Sequence, residues 1–324
     1  MSKLVTVTAP PHIRAAETST GVMLDVLIAL VPAQIAAVWI FGWRSLIVTL
    51  VCIGTALVSE WGIRSLFKKP STLGDLSAAV TGTLLAFCLP VGVPLWMAAL
   101  GTAFAIIVVK QFFGGLGHNF ANPAIAGRIF LLISFPIALT TWDLPKAAVT
   151  TDALTGATPL AILKTGGDAP DWLALLLGQH GGSYGEVCAA ALLLGGLYLL
   201  CKRIISPIIP LVFIGTVAVG MFLAGGLDAA FAARQVLTGG LLLGAFFMAT
   251  DYVTSPMTPW GKVLYALGCG GVTLVIRLWG NMPEGVSYAI LLMNIATPLL
   301  ERVTQPKIFG SVKKSQKASK EQES

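Results

Sequence analysis

One short polar stretch holds the residues whose types and spacing are best suited to chemistry. It runs TTDALTGATP from Thr150 to Pro159, within the long hydrophilic segment of an otherwise apolar chain. Gly156 and Ala157 leave a neighbouring threonine hydroxyl sterically open, so that it could accept a covalent modification. Asp, Thr, Gly and Pro are also turn formers, and their spacing alone favours an ordinary turn before Pro159.

Ionisable side chains in or beside apolar runs are the second group of candidates. They are Asp25, Asp75, Arg128, Asp251 and Arg277. A charge at the centre of a membrane helix costs roughly 2.5–3.5 kcal/mol, so each needs a partner or water. Asp251 follows a helix break beside Thr250 and Thr254, which suits a Na⁺ or proton pathway and equally suits a carboxylate at the headgroups. For Arg128 we expect an ion pair rather than a catalytic role.

Two other kinds of site are not supported by the sequence. His12, His118 and His180 are scattered without metal-ligand spacing, and no two of the five cysteines form a C-x-x-C pair, so we expect no metal site. Gly115 and Gly117 resemble a dinucleotide turn, but the third glycine and a βαβ pattern are missing. We therefore expect no nicotinamide site at this turn.

The elements that must position these residues are membrane helices. Of the 324 residues, 56% are hydrophobic and 11% are charged, against about 25% charged in soluble domains. We predict an all-α polytopic membrane protein with about ten transmembrane helices, each able to cross about 30 Å of hydrocarbon. They are expected near residues 21–41, 45–67, 75–89, 94–112, a fifth after 123 that ends near 139, 184–200, 207–225, 235–250, 260–279 and 285–302.

The charge pattern predicts which side of the membrane each segment occupies. The net charge of +6 is interpreted as Lys and Arg at cytoplasmic helix ends, Lys110 among them, and not as a nucleic-acid surface. Asp residues outnumber Lys in the central loop, which places that loop outside. The expected organisation is a cytoplasmic N-terminal segment (1–20), a first transmembrane half (21–139), an extracytoplasmic loop (140–183), a second transmembrane half (184–303) and a cytoplasmic basic tail (304–324).

A weak internal sequence similarity suggests that the chain consists of two related halves. Residues 81–85 read TGTLL and residues 238–242 read TGGLL, and in each half a long helix and a break follow. With five spans in each half, the second would enter the membrane inverted relative to the first. Inverted repeats with broken helices are a common way to build a ligand or ion site near the bilayer midplane.

Several stretches together resemble one known family along nearly the whole chain. The polar stretch fits the pattern D-x-x-[ST]-G-A-T from Asp152 to Thr158, at which a flavin transferase attaches FMN. The other matches are PHIR at 11–14, DLSAAVTG at 75–82, GGLGHN at 114–119, NPA at 122–124, FMATD at 247–251, TSP at 254–256 and YAILLMN at 288–294. They are similar to the D subunit of the Rnf complex, the ion-pumping ferredoxin:NAD oxidoreductase, and to its kin, the B subunit of the Na-translocating NADH:quinone reductase.

The resemblance implies a covalent flavin. Thr158 would bear FMN through a phosphoester, with Asp152, Thr155, Gly156 and Ala157 forming the attachment motif. A noncovalent riboflavin is compatible with the family as well. Asn119, Asn122 and Asn294 could bond a flavin edge, although satisfying backbone groups freed at helix breaks is the favoured interpretation of each.

The implied function is that of one subunit in a redox-driven pump of a bacterial or archaeal cytoplasmic membrane. Electrons would pass between ferredoxin and NAD while Na⁺ or H⁺ crosses the membrane. The expected partners are the other Rnf subunits, including a second FMN-bearing subunit and small membrane subunits, the flavin transferase and membrane lipid. Two alternatives from other classes are a small-solute channel of urea-channel-like architecture and a scaffold for partner subunits, both without flavin.

Overall fold

The computed structural model describes residues 18–146, 156–165, 167, 171–280, 282 and 284–305, and this part of the chain is helical. Asp152 and Thr155 of the predicted attachment motif lie outside the described residues. Fourteen helices run through the described part: α1 Ser19–Phe41, α2 Trp43–Leu66, α3 Ser77–Phe87, α4 Leu95–Gln111, α5 Pro123–Ser134, α6 Pro136–Thr140, α7 Pro159–Lys164, α8 Trp172–Leu177, α9 Ala189–Cys201, α10 Ile208–Ala224, α11 Ala229–Leu237, α12 Leu241–Met248, α13 Pro259–Trp279 and α14 Val286–Thr304.

Several helices begin where the local sequence supplies a cap. Three of them, α5, α7 and α13, start with a proline preceded by a residue whose side chain accepts a backbone N–H bond. Those capping residues are Asn122, Thr158 and Thr258. Proline is favoured at the first helical position because its missing N–H would have no helical partner there, and the cap satisfies one of the remaining donors.

Four helices are long and apolar enough to cross a membrane, namely α1, α2, α13 and α14. The pair α11 and α12 counts as a fifth if it is one span, bent by 68° at the break between the two helices. Shorter apolar helices of 10–17 residues accompany them: α3, α4, α5, α9 and α10. The described chain is thus an all-helical bundle with the composition of a polytopic membrane protein.

Three predicted helices differ from the structure. The fifth, expected from 123 to near 139, is divided at Phe135 into α5 and α6, because Pro136 cannot donate the backbone hydrogen bond that would continue the helix. The single helix expected at 235–250 is the broken pair α11 and α12, because Gly239 adopts a positive φ of 70° that ends the helical path. The helix expected from Tyr184 begins at Ala189, and a turn occupies residues 184–187. The predicted central loop also contains two short helices, α7 and α8.

Helices α4 and α12 both contain a π-helical segment. In α4 it covers Ala105–Gln111, and in α12 it covers Gly244–Met248. A π turn shifts the side chains that follow and is frequent at functional sites. Lys110 of the first segment and Phe246 and Phe247 of the second line the same cavity, described below.

The bundle is held together by close helix contacts and presents apolar side chains outward. Helix α1 packs against α9, and α5 packs against α14. A Cβ on Gly195 of α9 would lie 2.1 Å from the carbonyl oxygen of Ala29 in α1, so the two backbones can touch only at glycine. Large side chains such as Trp39, Trp279 and Val303 are 76–87% exposed. An outer surface of this kind is typical of a protein that faces lipid.

Candidate functional site

Thr158 lies at the start of α7 and is 5% exposed. Its Oγ1 accepts a hydrogen bond of 3.2 Å from the Ala161 N–H. Just before it, the Gly156 N–H donates to the Trp142 carbonyl at 3.1 Å, and a Cβ at Gly156 would lie 2.8 Å from the Leu144 side chain. Gly156 therefore packs tightly against the segment that follows α6.

The end of α7 is fixed to the connection between α13 and α14. The Lys164 ammonium donates to the carbonyl of Gly280 and, at 3.2 Å, to that of Met282. These contacts fix the end of α7, the helix that begins after Thr158, to the connection between α13 and α14.

Thr158 lines a cavity of about 240 Å³, here called the Thr158 cavity. Its walls include the apolar side chains of Leu132, Leu139 and Trp142. Arg128 and Glu284 contribute charged groups to the same cavity. An apolar pocket with a few convergent polar groups is typical of a site for an organic ligand.

A buried ion-pair network lies beside the Thr158 cavity. Arg128 binds Glu186 at 2.8 Å and also binds Glu284, so the predicted ion pair of Arg128 is confirmed. Arg277 is likewise buried, and its guanidinium donates to the Gln235 carbonyl at 2.6 Å. Neither Glu186 nor Glu284 was singled out from the sequence, because each lies in a connection whose position only the fold reveals.

A separate cavity of about 80 Å³ lies around Asp251 and is here called the Asp251 cavity. The structure brings Asn119, Asn122 and Asp251 together in its lining, although they lie on different segments. The Asp251 carboxylate accepts a hydrogen bond from the Thr254 hydroxyl at 3.1 Å. The Asn122 amide donates to the Met248 carbonyl at 3.3 Å, and its oxygen caps α5. Asn122 thus satisfies backbone groups at two helix breaks, as the favoured interpretation predicted.

Lys110 reaches the Asp251 cavity from α4 as half of a buried ion pair. Its ammonium lies 2.8 Å from Glu60 Oε2 and 2.6 Å from the Ser77 hydroxyl, and both charged side chains are almost completely buried. Lys110 lies near the end of α4, as predicted, but it is not a solvent-exposed charge, because Glu60 neutralises it inside the bundle. The signal in the sequence was the pair of opposite charges in two apolar runs.

The predicted site residues therefore fall into two groups that do not meet. Among the described residues, none lines both the Thr158 cavity and the Asp251 cavity. Asn119 and Asn122 belong to the Asp251 cavity and not to the one beside Thr158. Asn294 lies deeper, with its amide 2.6 Å from the Tyr265 hydroxyl.

The helices and the apolar outer surface define a polytopic α-helical membrane protein. A sequence profile of the NQR2, RnfD, RnfE family matches residues 6–310, and the chain belongs to this family. This confirms the resemblance inferred from the motifs.

Three relatives are similar over nearly the whole chain. The D subunit of the Na⁺-translocating ferredoxin:NAD⁺ oxidoreductase complex of Acetobacterium woodii is 48% identical, covering 97% of this chain and 98% of the relative. The D subunit of the proton-translocating ferredoxin:NAD⁺ oxidoreductase complex of Clostridium ljungdahlii is 44% identical, covering 95% and 97%. The D subunit of an ion-translocating oxidoreductase complex of Stutzerimonas stutzeri is 41% identical, covering 89% and 91%.

Proposed function

We propose that this chain is the D subunit of an ion-translocating ferredoxin:NAD⁺ oxidoreductase complex and carries FMN covalently on Thr158. The observation that carries the proposal is the position of the Thr158 hydroxyl in the lining of an apolar cavity, at the end of the D-x-x-[ST]-G-A-T pattern. The names of relatives that match almost end to end support the assignment to the complex.

The residues present fit an FMN group attached at Thr158. An isoalloxazine ring is flat and mostly apolar, and the Thr158 cavity offers Leu132, Leu139 and Trp142 as apolar walls. Arg128 lines the same cavity as a hydrogen-bond donor, and its positive charge is shared by Glu186 and Glu284. When bound, FMN supplies the electron transfer, and the protein supplies its position and its electrostatic surroundings. Because the proposed bond is covalent, the flavin would not dissociate from the chain.

Asp251 and its neighbours are the proposed cation pathway. Carboxylate, hydroxyl and amide oxygens meet there in a cavity large enough for a few water molecules or a small cation. Because this cavity is separate from the Thr158 cavity, ion movement would be coupled to electron transfer through two conformations of the protein. The cation is Na⁺ or H⁺, and electrons pass between ferredoxin and NAD.

The proposed topology is ten spans in two inverted halves, with both termini in the bacterial cytoplasm and the Thr158 loop outside. The four long helices, the bent pair and the five shorter apolar helices provide ten segments. In this arrangement α1 corresponds to α9 and α5 to α14, and each of these pairs is in contact. The proposed partners are the other Rnf subunits, including a second FMN-bearing subunit, and the flavin transferase outside the cytoplasm. A riboflavin is a further proposed ligand.

The decisive experiment is the intact mass of the chain purified from its own host. We expect one FMN phosphoryl addition in the wild type and in Thr158→Ser, and none in Thr158→Val, which has the same shape without the hydroxyl. Thr165→Ala is the matched control, since Thr165 lies at the end of the same short helix and bonds only backbone carbonyls; its FMN should remain.

Flavin fluorescence of the denatured protein band on a gel also shows whether the chain carries a covalent flavin. An unmodified wild-type chain would refute the flavin assignment and leave the channel and scaffold alternatives. Solute flux through the chain alone would then favour the channel over the scaffold.

A further inference from the structure

A second, much smaller cavity also touches Thr158. Its volume is about 10 Å³, and His180, Ser183, Glu186, Gly239 and Glu284 are among the residues that line it. This is about the volume that a single water molecule requires.

Two buried polar atoms belong to residues that line this small cavity. His180 Nε2 and Glu186 Oε2 have no hydrogen-bond partner among the described residues. His180 is 8% exposed and Glu186 is 5% exposed. A buried polar atom without a partner destabilises the folded state, so a water that bonds both atoms would be strongly favoured.

The contact made by His180 Nδ1 determines whether Nε2, the other ring nitrogen, donates or accepts a hydrogen bond. Its Nδ1 lies 3.1 Å from the Gly181 carbonyl oxygen, which can only accept, so Nδ1 carries the proton of the neutral ring. Burial lowers the pKa of His180, against the opposing backbone of Gly181 and Val187, so the ring is neutral at pH 7. Nε2 is therefore an acceptor without a partner among the described residues, available to a water in the small cavity.

One carboxylate oxygen of Glu186 is bonded, and the other, Oε2, has no hydrogen-bond partner among the described residues. Its Oε1 binds Arg128, which also binds Glu284, so one positive charge serves two carboxylates. Burial raises the pKa of Glu186 to about 7, with Arg128 and Ser183 opposing the rise and Glu284 adding to it. The other ionisable groups near this network are the Cys88 thiol beside Arg128 and the Arg277 guanidinium near Glu284.

We infer that His180, one bound water and Glu186 form a proton-exchange site that serves the group attached at Thr158. The inference rests on the proposed function. When one electron enters the attached flavin from a neighbouring redox centre of the complex, one proton passes from the outer aqueous phase to His180 Nε2. The water then gives a proton to Glu186 Oε2 and takes one from the imidazolium, which returns to the neutral ring. When the electron leaves, the proton leaves by the same route, so the net charge beside Thr158 does not change.

The test is infrared difference spectroscopy of the purified complex, with two readouts. Electrochemical reduction of the flavin should produce the carbonyl stretch of a protonated carboxylic acid, which shifts in D₂O and is lost in Glu186→Gln. In the unmodified Thr158→Ala chain, where no flavin is attached, the same band should titrate near pH 7. Glu186→Gln retains the shape of the side chain and leaves Arg128 paired with Glu284, so the variant should fold.

Two further variants separate proton exchange from a merely structural role. His180→Gln should slow the appearance of the band by at least tenfold and leave its final size unchanged. Glu284→Gln is the matched carboxylate control: it should retain the band and move its midpoint to lower pH, because a neighbouring negative charge is removed.

The outcomes distinguish this inference from the proposed function. No titrating band near neutral pH in the Thr158→Ala chain would overturn the proton-exchange site, whatever the mass of the wild type. A band in that chain together with an unmodified wild type would refute the flavin and leave the exchange site standing. A band that titrates but does not respond to flavin reduction would overturn the coupling.

Discussion

The Thr158 cavity and the Asp251 cavity differ in size, lining and structural role. The first is about 240 Å³, has apolar walls and is built around a hydroxyl in a connecting segment. The second is about 80 Å³ and is built from the broken ends of helices in both halves, with a buried ion pair at its edge. Under the proposed function, one bundle would hold a flat organic group and a small cation in separate cavities.

The largest effect is expected from breaking the ion pair at the Asp251 cavity. Lys110→Met leaves Glu60 buried without its countercharge, which costs about 3–5 kcal/mol. Thermal unfolding in detergent measures the loss, and the double variant with Glu60→Gln should recover part of it. Lys202→Met is the control, because Lys202 is half exposed and its ion pair with Asp25 is screened by solvent, so a much smaller loss is expected. Equal losses in the two lysine variants would contradict the assignment.

The next effect concerns the contact between α1 and α9, two helices that contribute to the lining of the Asp251 cavity. In Gly195→Ala the new methyl group meets the Ala29 carbonyl of α1, and overpacking of this kind costs about 1–3 kcal/mol. Gly54→Ala in α2 is the matched control, since nothing lies within 4 Å of the added Cβ and alanine favours the helix. We expect a lower midpoint of thermal unfolding only for Gly195→Ala. Unequal FMN content in the two folded variants would contradict a purely structural effect.

A smaller effect should separate ion movement from flavin attachment. Asp251→Asn retains the hydrogen bond to Thr254 and removes the charge from the cavity. We expect ion-coupled turnover to slow by about tenfold, which corresponds to about 1.4 kcal/mol, with FMN still attached by mass. Asp228→Asn, at the exposed start of α11, provides the control. Unchanged pumping in Asp251→Asn would remove Asp251 from the pathway.

The fourth effect is a pH dependence at the Thr158 side, which is spread over a pH window and is read as a slope. Burial raises the pKa of Glu186, in the turn before α9, from its ordinary 4.5 to about 7. The folded chain therefore retains a proton that the unfolded chain releases, so this carboxyl favours folding at the acidic end and loses that contribution as the pH rises from 4.5 to 7. Relative to Glu186→Gln, the wild type should become less stable across this window. A difference that is constant with pH would refute the shift.

The sequence was most informative where one local pattern carries the signal. The D-x-x-[ST]-G-A-T match located the Thr158 segment, and apolar runs located the helices. The Glu60–Lys110 pair was not predicted, because the two residues lie on different helices and only tertiary packing joins them. The same holds for Glu186 and Glu284, which meet Arg128 from two separate connections.

The break between α11 and α12 was missed for a different reason. Residues 235–250 are apolar almost throughout, and hydropathy does not register a positive φ at Gly239. A glycine pair inside such a run was the available signal. Bringing Asn119, Asn122 and Asp251 to one cavity also required the fold, because 129 positions separate Asn122 from Asp251.

The burial of Thr158 would impose an order on the proposed flavin attachment. Thr158 is 5% exposed and its hydroxyl caps α7, so the hydroxyl is out of reach of an enzyme that must surround it. Under the proposed function, a transferase would therefore act before α7 docks, or α7 would detach from Gly280 and Met282 to admit it. The packing that excludes such an enzyme would then also shield the phosphoester from hydrolysis.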